Sequence, residues 1–241
     1  MRTVIFLLIL ISIGGYLAFM YKDYLRETMD NPERLPKIRP LAKDIDALDQ
    51  NGNPFSFKML KGKVWVMSAF YTDWNTPVPG KDVMDRMRDL ARIYEDEEEF
   101  HIVAISVDPA VDRPEVIKDW LRKNDFNPRA WTFVTGEEKT IRSYLLKYFQ
   151  YQVVKQKDTK LAEEHGDWVH SAAPVLVDRE GWIRGENYGI TDPEKGGSWF
   201  KKLQMDIDKQ LESGREAETV KEGGKPEDGG NAGTPSKSGE G

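Results

Sequence analysis

The side chains able to do chemistry are few. Within 241 residues there are three histidines, His101, His165 and His170, and no cysteine. Without a thiol or thiolate, disulfides, cysteine nucleophiles, Cys-ligated zinc and iron–sulfur clusters are all excluded, and thiol–disulfide oxidoreductase activity with them. His165 and His170 lie close together with Glu163, Glu164 and Asp167 beside them. Their spacing completes no metal triad, and a solvated loop accounts for the group. His170 stands just before an apolar run, where a histidine either binds a ligand or is hydrogen-bonded structure. His101 opens a strand and reads as structural. Met67, Met84 and Met87 carry thioethers, but they fall in an apolar run and on an amphipathic helix, where methionine fills gaps in a core. The segment Thr72 to Gly80, TDWNTPVPG, carries Asp73 and Trp74; an exposed Trp there is either a recognition anchor or a space-filling side chain. The acidic run Glu95 to Glu99 reads as a solvated helix end. No glycine-rich phosphate loop, Ser-His-Asp order or paired-carboxylate pattern is present, so no nucleophile and base emerge for an enzyme. The net charge of −6 argues against nucleic acid as a partner.

The elements that must position these residues follow from apolar patterning. Asp46 to Phe57 reads as a hairpin turning at Asn51-Gly52, with Phe55 and Phe57 on one face. Val64 to Tyr71, VWVMSAFY, is a continuous apolar run of the kind a strand buried on both faces needs. Lys81 to Glu95 places Val83, Met87, Leu90, Ala91 and Tyr94 at helical spacing. His101 to Val107 is a second buried strand, and Pro114 to Lys123 a helix with proline in its first turn. Trp131 to Val134 is a third strand, followed by a helix over Glu137 to Phe149. Pro174 to Asp178 and Trp182 to Tyr188 flank Arg179-Glu180-Gly181 as a last hairpin, and Lys195 to Leu211 is a closing helix. This order predicts an α/β domain, a mixed central sheet with helices on both faces, most commonly a thioredoxin-like fold. In such sheets ligand chemistry gathers where loops leave the carboxyl ends of the parallel strands, here the loop Thr72 to Gly80.

The ends of the chain differ from its middle. Thr3 to Tyr21 is an uncharged stretch of about 19 residues, about 28 Å as a helix and so long enough to span a bilayer. Its end, Leu17-Ala18-Phe19-Met20-Tyr21, lacks the small residues of a cleavage site, which favours an uncleaved anchor over a secretory signal. The basic residues flanking it nearly balance; a short N-terminal stub that stays inside sends the rest outward. The expected organisation is a transmembrane anchor over 1–21, a stalk over 22–40, one domain over 41–211 and a disordered tail over 212–241, which holds eight of the 20 glycines.

The segments VWVMSAFYTDWNTPVPG, FHIVAISVDPAVDRPEVIKDWL, WTFVTG and VHSAAPVLVDREGWIRGENYG resemble, in order and spacing, the Sco/SenC family. The resemblance covers Leu41 to Tyr188. It implies a membrane-anchored, thioredoxin-fold protein handling copper for assembly of the Cu(A) centre of cytochrome c oxidase. In that family a T-x-C-P-x-x-C-P loop and a distant histidine bind the metal. Here Thr72 and Pro79 keep the frame, Trp74 and Val78 occupy the two cysteine positions, His170 matches the histidine, and Asp108 falls in the S-x-D-P motif. Copper(I) is soft and is selected by sulfur, so one imidazole beside Trp74 and Val78 makes a poor site.

The expectation is therefore a Sco-like scaffold whose metal and redox site has been lost, with no cofactor expected and copper through His170 the one candidate. Three function classes stay open. The first is a non-enzymatic assembly or docking factor, with Asp73, Trp74 and Val78 as an interaction loop and an oxidase subunit or cysteine-bearing paralogue as partner. The second is a copper chaperone with a rebuilt site on His170. The third is an enzyme of unknown reaction on the same fold. The expected location is a membrane, single-pass, with the C-terminal domain extracytoplasmic.

Overall fold

A computed structural model describes residues 12–22, 35–41, 43–72, 79–124, 126, 129–165, 167–171 and 173–223. Residues 12–22 form an exposed helix, α1. Among the described residues no helix is long and apolar enough to cross a membrane; residues 1–11 of the expected anchor lie outside those described.

The domain is built on an eight-stranded mixed sheet. Its strands are β1 (Arg39–Pro40), β2 (Ala47–Asp49), β3 (Pro54–Phe55), β4 (Val64–Phe70), β5 (Phe100–Ser106), β6 (Trp131–Thr135), β9 (Val175–Val177) and β10 (Trp182–Gly185), in the order β1-β10-β9-β4-β5-β6-β2-β3. A separate two-stranded sheet pairs β7 (Val153–Lys155) with β8 (Trp168–His170). The helices are α2 (Pro79–Ile93), α3 (Pro114–Lys123), α4 (Glu138–Phe149), α5 (Thr159–His165) and α6 (Gly196–Gly223). β4, β5 and β6 run parallel, and β9 lies antiparallel against β4.

All seven residues of β4 are buried, and their alternation feeds two cores. Val64, Val66 and Phe70 pack with residues of α2, α3 and α6 on one face. Trp65, Met67 and Ala69 pack with Ile141, Tyr144, Leu145 and Phe149 of α4 on the other. A strand covered on both sides has no polar face, which is why its sequence is an unbroken apolar run. The hairpin β2–β3 turns at Gly52, whose φ of +82° is a conformation glycine adopts without strain.

Four local expectations change. Arg39 and Pro40, expected in the stalk, form the edge strand β1 against Ile183 and Trp182 of β10. Proline is tolerated there because an edge strand leaves one row of backbone groups unpaired. Helix α6 does not stop at Leu211 but runs to Gly223, into the expected tail. The guanidinium of Arg179 donates to the carbonyls of Gln210 and Leu211 and lies against Gly214, where a Cβ would displace it. The run Glu95 to Glu99 is not simply a solvated helix end: Glu99 accepts from Arg179 at 2.6 Å and Glu97 pairs with Arg215 on α6. The stretch between α4 and β9, expected as loop, contains β7, α5 and β8. Residues 224–241 of the expected tail lie outside those described.

Candidate functional site at the carboxyl ends of the central strands

Thr72, two residues beyond the end of β4, is tied down by Asp112. The Asp112 carboxylate accepts from the Thr72 amide at 2.9 Å, the Thr72 hydroxyl at 2.5 Å and, through its second oxygen, the Ser106 hydroxyl at 2.5 Å. Ser106 ends β5, and its hydroxyl also accepts from the Asp108 amide at 3.0 Å. Asp108 and Asp112 bracket a tight turn in which the Asp108 carbonyl accepts from the amides of Val111 and Asp112. Asp112 has no exposed surface. Burial pushes its carboxyl up to about 6, against the opposing pull of hydrogen bonds from Ser106 and Thr72, with Asp108 adding to the rise. In the S-x-D-P segment the buried acid is thus Asp112, four residues beyond Asp108. Sequence reasoning passed over it; an acid that follows a buried strand ending in serine and precedes Arg-Pro and a helix was the available signal.

His170 comes to the same end of the sheet. It closes β8, opposite Val153 of β7. Its ring meets that of Tyr71, the last residue before Thr72, edge-on at 5.9 Å between centroids. The Nδ1 atom lies 2.8 Å from the Ser171 carbonyl, so Nδ1 carries the proton and Nε2 holds the lone pair of the neutral ring. Burial lowers the pKa of His170, partly offset by the Ser171 hydrogen bond. The structure therefore brings His170 beside Tyr71, the residue before Thr72. Asp73, Trp74 and Val78 lie outside the described residues.

The other candidates are not gathered there. His101 is partly buried in β5, its Nε2 2.8 Å from the Thr132 hydroxyl on β6. Burial, with Lys63 nearby, drops its pKa to about 4, so it stays neutral. His165 ends α5, and its side chain and that of Glu164 are outside the description; Glu163 and Asp167 are exposed. Met67, Met84 and Met87 are buried in the two cores. Among the described residues no three His, Cys, Asp or Glu side chains converge on a metal position. With no cysteine in the chain and Met67, Met84 and Met87 enclosed, none of these candidates offers His170 the accessible sulfur that copper(I) selects.

The hairpin that carries His170 has a second face. Val154 and Val169 sit opposite each other in register, and both are about half exposed, at 51% and 54%. A groove beside them is lined by Leu146, Val153 and Val154, and Leu146 is also exposed. On the inner side, Arg142 stacks over the Trp168 ring at 3.9 Å and fixes the hairpin to α4. Residue alternation along a strand thus puts an imidazole on one face and a bare apolar pair on the other.

Comparison with known proteins agrees with this architecture. The SCO1/SenC family model matches residues 37–199. The SCO1 protein homolog of Bacillus subtilis is 27% identical over 156 residues, covering 63% of this chain and 77% of that protein. Protein SCO2, mitochondrial, of Saccharomyces cerevisiae is 30% identical over 192 residues, covering 75% of this chain and 60% of its own length. The solved structure of BsSco, described as a cytochrome c oxidase assembly protein with a disulfide switch, superposes with a TM-score of 0.59 at 23% identity, over 73% of this chain and 97% of that one. Other Sco structures of the same fold have been solved with copper bound. The match spans the sheet, helices α2 to α5 and the turn that holds Thr72, so the chain belongs to the SCO1/SenC family.

Proposed function

We propose that this chain is a non-redox assembly or docking factor in maturation of the cytochrome c oxidase copper site. In this reading residues 1–21 anchor it in a membrane and the domain stands on the extracytoplasmic side, where it engages an oxidase subunit or a cysteine-bearing paralogue. It catalyses no reaction. The observation that carries the reading is the exposed Val154–Val169 pair on the hairpin that also carries His170. In this reading the family's copper-handling end serves as a contact surface, since the chain has no cysteine to bind the metal. An apolar pair left bare at a sheet edge is a site for a partner surface rather than for water.

A second reading, a rebuilt copper site, has one observation in its favour: the His170 ring is turned so that Nε2, not Nδ1, holds its lone pair. One experiment separates the two. In cells lacking the chain, the near-infrared absorbance of the oxidase Cu(A) centre should fall. The wild-type chain and His170→Ala should restore it, whereas Val154→Asp with Val169→Asp should not. Failure of a folded His170→Ala to restore it would move the assignment to the rebuilt site, and full restoration by the double aspartate variant would remove the hairpin from the docking surface.

A further inference from the structure

A second site lies at the opposite end of β4, about 20 Å from Thr72 at the rise of an extended strand. There a cleft of about 210 Å³ opens between the segment entering the domain and the turn before β4. Its apolar wall is formed by the part-exposed Leu41 and Phe57, with Leu60 and Trp65 buried behind them. Phe57 stacks on Trp65 at 5.1 Å and on Tyr144 at 5.5 Å, so the aromatic wall is fixed before any ligand arrives. The rim is fixed too. The Tyr144 hydroxyl donates to the Lys43 carbonyl at 2.6 Å, and the Asp44 carboxylate accepts from the Phe57 amide at 2.8 Å and from the Ser56 hydroxyl.

The charges around this cleft are unequal in their commitments. Arg179 is held by Glu99 and by helix carbonyls, and Glu180 pairs with Lys37 at 3.2 Å. Asp44 is occupied as a cap. Lys43, Lys58 and Lys61 line the same cleft, and none of them makes an ion pair among the described residues. Three lysines that line the cleft and make no ion pair among the described residues match a ligand with one apolar end and one negative end. The carboxylates of Asp44 and Glu180 on that rim disfavour a doubly charged group. The volume lies below the roughly 300 Å³ of drug-sized pockets, so the ligand is compact.

We propose that this cleft binds a small amphipathic carboxylate, its ring or short alkyl group against Leu41 and Phe57 and its carboxylate held by Lys43, Lys58 and Lys61. The site is separate from the His170 face, and its failure would leave the docking role untouched. The test is equilibrium dialysis of radiolabelled phenylacetate against the full chain in non-ionic detergent. One saturable site per chain is expected, with phenylacetamide, the neutral analogue, competing at least tenfold more weakly. The variant Lys43→Gln, Lys58→Gln, Lys61→Gln changes exposed side chains and should keep the wild-type circular dichroism while losing affinity at least tenfold. Equal competition by phenylacetamide, or unchanged binding by the triple variant, would overturn the assignment. So would the absence of saturable phenylacetate binding combined with lysine-dependent capture by phosphatidylglycerol vesicles, which would make the lysines a membrane-facing patch.

Discussion

Removing the carboxylate of Asp112 while keeping its shape should change the pH dependence of stability in a calculable way. In the folded chain burial holds this carboxyl up to about 6, against 3.8 for the unperturbed group. At about 1.4 kcal/mol per pH unit, that difference corresponds to about 3 kcal/mol. Because the folded pKa is raised, the associated stability is fully present below about pH 4 and is lost as pH rises through 6. Between pH 4 and pH 7 the wild-type chain should therefore lose about 2 kcal/mol from this group alone. Asp112→Asn has no such titration, so its stability relative to wild type should improve by about 2 kcal/mol over the same interval. At pH 7 it should lie within about 1 kcal/mol of wild type, since the amide oxygen still accepts from Thr72. Asp112→Ala is different in kind. It strands the fully buried Ser106 hydroxyl and frees two donors of Thr72, a loss of hydrogen bonds to a charged acceptor only partly offset by relief of burial. The expected cost is about 2–3 kcal/mol at pH 7. Urea unfolding of the full chain, followed by tryptophan fluorescence at several pH values, measures both. A relative stability of Asp112→Asn that does not vary with pH, or a cost for Asp112→Ala below about 0.5 kcal/mol, would refute the claim that a buried carboxylate pins the start of the loop.

Two further outcomes are open to measurement. Purified wild-type chain should lose copper(I) to a tight chelator in a competition titration, whereas Trp74→Cys with Val78→Cys should retain it and lose it again when His170→Ala is added; a folded double-cysteine variant without affinity would mean that these positions no longer face His170. On alkaline carbonate extraction the full chain should stay with the membrane, and release of a domain with a new N-terminus near residue 22 would remove the anchor.

The sheet was legible in the sequence wherever one rule of periodicity acted without competition. The run Val64 to Tyr71 reads as a two-sided core strand because it is unbroken, short and rich in β-branched and aromatic residues, and Val64–Phe70 is that strand. Helix α3 appeared with its observed boundaries because Pro114 pre-sets its first turn. The absence of cysteine is read from the sequence with no structure at all, and it leaves this chain no thiol of its own. What tertiary structure decided were the features that depend on residues far apart in the chain. Three-residue strands such as β7 and β8 carry too little alternation to be read; they pair with each other, and Arg142 on α4 stacks over Trp168 of β8. Helix α6 outruns its apolar pattern because Arg179, Glu97 and Gly214 hold its continuation to the domain. Asp112 looks in the sequence like any surface acid before a helix, and only the folding of β4 beside β5 brings Thr72 and Ser106 to it. Local patterning determines which segments become strands and helices because it acts over a few residues. Which acid is buried, and which loop it holds, is settled by contacts that no local pattern encodes.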